Sequence, residues 1–326
     1  MTNPMSIFAR ALFLSALFSA GLAPAAQAQG FPSRSIKIIV PFAPASATDV
    51  LAREIGARLS TAWEQPVVVD NRPGASGMIA AAAAAKAPAD GYTLFFTSNT
   101  TQAANPSLFR KLPYDPEKDF APVSTLAIAA NLLVVRPELG VSSVRELIQV
   151  ARAQPGRLSF AYGSSLSRLN GEMLRSMAGI DIVPVPYKSN PQGVTDLLGG
   201  QVQFMFTDTV TALPHVKAGK LKALGITSGR RSVLMPEVPT IAEAGVPGYE
   251  LTGWLAVFAP AGTPEAVLGK IHAEIQRSLA LPAVRERILQ MGLDPSTGSR
   301  SELGALVRAE IPKWARIVKE AGIQPE

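Results

Sequence analysis

The sequence contains no cysteine among its 326 residues. Disulfides and thiolate chemistry are therefore excluded, and no lipoprotein-type anchor is expected. Histidine is nearly as scarce, with only His215 and His272. His215 follows Pro214 in LPHVKAGK and His272 sits mid-helix in GKIHAEIQ, positions that read as structural or surface rather than catalytic. A Ser-His-Asp triad would have to recruit one of them, and no G-x-S-x-G elbow occurs, since GASGM at 74–78 fails at Met78. No group of histidines and carboxylates has metal-ligand spacing. Neither G-x-G-x-x-G nor a P-loop is found. The carboxylate pairs Asp115/Glu117 and Glu172/Asp181 lack an apolar-pocket context and read as solvated. Lys and Arg are scattered, without a basic stripe interleaved with aromatics, so nucleic acid is not an expected partner. No cofactor, no metal and no catalysis are expected.

What is present begins with an export signal. Arg10 closes a short n-region, ALFLSALFSAGLA is an apolar h-region, and Ala26-Gln27-Ala28 is an A-x-A site, so residues 1–28 read as a signal peptide cleaved after Ala28. The apolar run is too short to span a bilayer, and no later stretch is long enough. The expected location is the periplasm. Cleavage would remove Arg10 and take the formal net charge from +6 to +5, a balance that suits an anionic ligand. Hydrophobic residues make up 47%, enough for a full core, and about 300 residues suffice for two domains.

Strand-like runs recur at 35–42, 66–70, 93–98, 131–136, 158–163, 182–187, 202–207 and 221–227. They are rich in Val, Ile, Leu and Phe without clean alternation, as in strands covered on both faces. Helical patterns separate most of them. Ser143/Glu146 and Ser299/Glu302 have capping-box spacing, and Thr263 followed by Pro264 marks another helix start. Gly156 and Gly322 mark helix ends, and Pro312 is expected to bend or split the last helix. The expected fold is α/β with mostly parallel sheets. The tail from Thr263 shows no strand of its own and should pack on the N-terminal sheet. The chain would thus leave a first lobe (29–130), build a second (131–250) and return (251–326), crossing at 131–136 and 251–260.

Parallel sheets bind ligands beyond the carboxyl ends of their strands. The loops there, at 43–49, 98–104, 163–170, 188–193 and 207–212, carry mostly hydroxyls and amides, with the carboxylates Asp49 and Asp208. That inventory makes hydrogen bonds and does not catalyse. In VPFAPASATDVLAREI (40–55) a bare, hydroxyl-dotted loop enters a helix. Ser46 with Asp49 fits a capping box and Thr48 is a rival cap, yet the same helix start can hold an anion. Candidate binding residues are Phe42, Ser46, Ala47, Thr48 and Asp49 here, and Ser98, Asn99, Thr100, Ser164 and Ser165 on facing loops. Lys188 and Arg168 are as readily solvated, and Trp254 reads as hinge packing rather than a stacking platform.

NRPGASG (71–77), DGYTL (90–94), KLPYDPEKDFAPV (111–123), VPYK (185–188), DLLGGQVQFMF (196–206), LPHVKAGKLKALGITS (213–228) and VPTIAEAG (238–245) resemble the Bug-type, TctC-like receptors of tripartite tricarboxylate transporters. The resemblance runs from about Pro32 to Gly322. It implies a two-lobed periplasmic binding protein of type II topology, closing over a small carboxylate between its lobes. It further implies integral membrane subunits as partners, a monomeric receptor, and a place in the cleft for Tyr187, Thr207 and Asp208. A receptor feeding a periplasmic sensor, or a secreted α/β hydrolase, are the alternatives. The family usually writes glycines after the proline of the 40–55 loop. Ala45-Ser46-Ala47 stands here instead, which should restrict positive φ.

Overall fold

The structure, a computed structural model, describes residues 30–325. The expected signal peptide and its cleavage point lie outside the described residues. The chain opens with β1 (Ile36–Val40), α1 (Ala47–Trp63), β2 (Val67–Asn71), α2 (Met78–Ala85) and β3 (Thr93–Ser98). A π-helical turn (Thr100–Ala104) and one α-turn (Asn105–Leu108) then lead to β4 (Phe120–Ala129). After Ala130 come β5 (Asn131–Val135), α3 (Val144–Ala153), β6 (Ser159–Tyr162), α4 (Ser165–Ala178), β7 (Val183–Pro186), α5 (Asn190–Leu198), β8 (Phe204–Asp208), α6 (Thr209–Lys217) and β9 (Lys222–Ile226). The chain finishes with β10 (Gly253–Pro260), α7 (Glu265–Ala280), α8 (Pro282–Gln290), β11 (Leu293–Pro295) and α9 (Arg300–Glu320).

Two sheets form, in the orders β11-β4-β10-β3-β1-β2 and β7-β6-β8-β5-β9. Their pairing is mixed rather than largely parallel. β1 is parallel to β2 and β3, and β6 is parallel to β7 and β8. β10 runs against β3 and β4, β5 runs against β8 and β9, and β11 runs against β4. The reason is the crossing itself. β5 and β10 are the strands that enter each sheet directly from the other, so they arrive pointing the opposite way.

Helices cover both faces of each sheet. α1 places Leu51, Ile55 and Leu59 against Ile36, Ile38 and Phe96, alongside Leu268, Ile271 and Ile275 of α7. Each such side chain contributes about 2 kcal/mol of burial. On the opposite face α9 brings Leu303, Val307 and Trp314 to Phe95 and Phe258. In the second sheet α3 and α4 cover Phe160 and Phe204, while α5 and α6 cover Leu132, Val134 and Met205.

Several sequence expectations shift. β4, β10 and β11 are not among the expected strands, β10 occupying what is expected only as a crossing segment. β4 is Ala/Ser/Thr-rich, contains Pro122, and pairs with β10 through two register shifts that disturb its alternation. β11, only three residues long, gives the C-terminal tail a strand after all. The cap of α7 is Pro264 rather than Thr263, whose hydroxyl donates to Pro260 O at 2.7 Å. α9 runs through Pro312 without splitting, from a complete Ser299/Glu302 capping box.

Gly171 decides how closely α4 approaches its sheet, and hence where the start of α4 sits. A Cβ there would come within 2.1 Å of the Phe160 ring, which is fully buried. Gly171→Ala should therefore destabilise by about 1–3 kcal/mol through overpacking, read as a lower midpoint in urea unfolding at unchanged slope.

Candidate functional site

The loop after β1 turns sharply at Ala45, which adopts φ 66. The expectation that alanine would restrict positive φ is overturned at this residue. The left-handed conformation costs an alanine about 1–2 kcal/mol. It is held by Asp49, whose Oδ2 accepts from Ala45 N at 2.9 Å. Ser46 is the N-cap of α1, accepting from Asp49 N at 3.3 Å, while its own N–H donates to Ala43 O at 3.2 Å. Among the first N–H groups of the helix, those of Ala47 and Thr48 have no acceptor among the described residues. The uncompensated positive end of α1 is thus confined to two donors.

The end of β3 supplies a second wall. Ser98 Oγ accepts from Thr100 N at 3.2 Å, and the Thr97 and Thr101 hydroxyls meet at 2.6 Å. Asn99 Oδ1 accepts from Trp254 N at 3.3 Å, which fixes the amide and leaves Nδ2 free. The second sheet supplies the facing wall. Ser164 caps α4 by accepting from Ser167 N at 3.2 Å. Asn190 Oδ1 accepts from Gly163 N at 3.2 Å, and its Nδ2 donates to Asp208 Oδ2 at 2.8 Å. Asp208 caps α6, its Oδ1 accepting from Thr211 N at 2.9 Å and Thr211 Oγ1 at 2.7 Å.

These walls face one partly open cavity between the sheets, of about 460 Å³ including space continuous with solvent. Phe42, Ser46, Ala47, Thr48, Ser98, Asn99, Thr100, Ser164 and Asp208 line it, joined by Ala129, Asn131, Leu166, Asn190, Trp254 and Leu255. Asn99 Nδ2, Thr100 Oγ1, Asn131 Nδ2 and Trp254 Nε1 are buried without a hydrogen-bond partner. Four polar atoms on one cavity without a protein partner call for a ligand or ordered water, because such groups are almost always paired. Asn131, Trp254 and Leu255 stand at or beside the points where the chain crosses between sheets. Sequence reasoning placed those crossings but looked for ligand contacts only in the strand-end loops. Trp254, read there as hinge packing, is a wall of the cavity.

Other predicted site residues are engaged elsewhere. Asp49 Oδ1 accepts from Asn71 Nδ2 at 2.9 Å, and its carboxylate pairs with Arg53. Its carboxylate supports the loop from behind. Ser165 Oγ donates to Asn105 Oδ1 at 3.0 Å, a bond between the second sheet's α4 and the first sheet's turn. The Tyr187 hydroxyl donates to Asp196 at 2.8 Å, and burial with that carboxylate pushes its pKa up to about 12. Thr207 is buried within β8, with Oγ1 unpartnered, and does not line the cavity. Lys188 lies outside it, and Arg168 packs over the Tyr162 ring at 5.5 Å. Glu172 corrects the solvated reading. It is buried beside Arg175 at 2.8 Å, and burial raises its pKa. His272 Nδ1 lies 2.7 Å from Val123 O, a packing role inside the first lobe.

A cavity at strand ends of two α/β lobes, each lobe closed by a reversed strand from the other, defines a two-lobed solute-binding protein of type II topology. Residues 51–323 match the TctC profile, the tripartite tricarboxylate transporter family receptor, and the chain belongs to that family. It is 37% identical to Protein BugT of Bordetella pertussis (strain Tohama I), over 93% of this chain and 94% of that one. An R. palustris protein solved with adipate superposes with a TM-score of 0.89 at 38% identity, over 91% of this chain and all of the other. MatC from Rhodopseudomonas palustris, solved with bound malate, superposes at 0.84 with 33% identity, over 88% of this chain and all of the other. No helix among the described residues is long and apolar enough to cross a membrane.

No protein group satisfies these donors, so without a ligand they depend on water. Asn131→Leu replaces an orphaned amide with an apolar group of similar size, and should raise stability by about 1 kcal/mol. Differential scanning calorimetry without ligand would show a higher melting temperature. An unchanged or lower one would mean that Asn131 is satisfied.

Proposed function

We propose that the protein is an exported receptor that captures a small organic carboxylate and delivers it to the membrane subunits of a tripartite transporter. Residues 1–28 would direct export and be cleaved after Ala28, and the receptor would act as a monomer, binding without turnover. One observation carries the reading. Ala47 N, Thr48 N, Asn99 Nδ2, Asn131 Nδ2 and Trp254 Nε1 are all donors on one cavity and none has an acceptor. Only an acceptor-rich ligand or water satisfies such a set. Family membership and the adipate- and malate-bound neighbours support a carboxylate as that ligand.

The carboxylate sits at the start of α1, taking hydrogen bonds from Ala47 N and Thr48 N. The hydroxyl of Ser46 adds a donor, since its oxygen already accepts from Asp49 N and its hydrogen is free. The N–H groups of Ser46 and Asp49 are excluded from this role by their internal bonds. No lysine, arginine or histidine lines the cavity. Fixed neutral dipoles hold the anion without a buried ion pair, whose desolvation is costly and whose release would be slow.

Leu166 and Leu169 of α4 pack into the cluster of Trp254 and Phe258, while Val210 of α6 packs against the opposite face of the first sheet. Exchange of a ligand would part the lobes (29–130 with 251–326, against 131–250) at Ala130 and near Thr252, separating these contacts. This is hinge motion, in which the ligand selects the arrangement it fits.

Adipate and malate are the first ligands to try, by thermal shift of the full mature chain. Binding raises the melting temperature with ligand concentration. Ser46→Leu should abolish that rise by bulk, whereas Ser46→Ala should weaken affinity about five- to tenfold, one hydrogen bond. Undiminished binding by Ser46→Leu would move the site away from α1.

A further inference from the structure

We propose that Asp208 sets ligand specificity by requiring a hydrogen-bond donor, an ammonium or hydroxyl group, on the ligand opposite its carboxylate. The inference rests on the receptor reading above and narrows its ligand to amino or hydroxy acids in preference to plain diacids. Asp208 is the single charged residue lining the cavity, and its charge is negative. A carboxylate in a cavity built for carboxylates is a repulsive element unless the ligand presents something positive or protic to it.

Capping alone does not require this charge. Oδ1 does the capping, through Thr211 N and Oγ1. An asparagine or serine would cap α6 equally well. Oδ2 is held separately by Asn190 Nδ2, and Asn190 is in turn oriented by Gly163 N. A carboxylate oxygen accepts more than one hydrogen bond, and Oδ2 has accepted a single one. A buried carboxylate oriented by a second residue, with acceptor capacity left over on the cavity wall, is built to meet a donor.

The two walls therefore differ in sign. At α1 the cap is a neutral serine and two N–H groups are free. At α6 the cap is an anion and the helix end is already compensated. This polarity orients the ligand, with its carboxylate toward the first lobe and its donor toward the second. It also discriminates by negative design, since a second ionised carboxylate directed at Asp208 is rejected.

The test is calorimetric titration of the full mature chain with succinate, malate and aspartate, which match in length and differ in the donor, and with adipate. The native protein should favour malate or aspartate over succinate by about tenfold or more, the worth of a charge-assisted hydrogen bond. Asp208→Asn should bring the three acids within about twofold of one another, with a melting temperature lowered by loss of the Asn190 Nδ2 bond to Oδ2. Asp208→Ser, a second neutral cap, guards against a folding defect in the first variant and should behave alike. Preference for succinate or adipate in the native protein overturns the proposal, as does a preference that survives both variants. Absence of binding to any of the four acids would overturn the receptor reading itself, and this inference with it.

Discussion

Strand β10 is the constraint on which both lobes depend. Every one of its residues is buried, and it is paired on both sides, to β3 and to β4. A strand in that position has no freedom to slip, because a one-residue shift would turn every side chain to the wrong face. Its first residues are therefore placed as firmly as the core. Gly253 admits Asn99, whose Oδ1 would lie 2.3 Å from an added Cβ. Trp254 and Leu255 follow as cavity wall. β5 performs the same service in the second sheet, and Asn131, its first residue, is the corresponding wall. Each lobe is completed by a strand that the other lobe sends, so the cavity is walled by fully buried strands paired on both sides.

Rigidity permits the second property of the site, its unsatisfied donors. A flexible loop would rotate its amides until they found partners. Asn99 cannot, because its oxygen is committed to Trp254 N, and the indole cannot, because its ring is packed against Phe258. Ala45 is a smaller instance of the same logic. Its left-handed backbone is maintained by Asp49, which Arg53 and Asn71 hold in turn. Strain and unmet hydrogen bonds persist where surrounding packing over-determines them, which is why they gather at binding sites.

Much of this was readable in the sequence, for local reasons. The α1 core face follows from the spacing of Leu51, Ile55 and Leu59. The caps Ser46, Ser143 and Ser299 follow from side chains that bond within three residues. Strand-end loops at 46–48, 98–100, 164 and 208 were placed at the cleft because α/β topology puts them there. What escaped depends on contacts distant in sequence. β4 lacks a periodic signature because it bulges against a partner more than a hundred residues away. Asn131 and Trp254 acquire their roles only when the two crossings are brought together. Tyr187 was expected in the cleft, but its hydroxyl is engaged by Asp196 from the next helix.

The absence of cations from the cavity wall has a kinetic meaning. Without the expected signal peptide the formal net charge is +5, the +6 of the full sequence less Arg10, and such a charge acts on an approaching anion over roughly a Debye length of 10 Å. Under the proposed function, the dipoles that would retain the anion act at contact distance and inside the protein, where dissolved ions do not screen them. Capture and retention are thereby assigned to different physical fields. Added salt would slow arrival at the cleft and leave the residence time nearly untouched, so ionic strength would govern how often the receptor fills without altering how readily it empties.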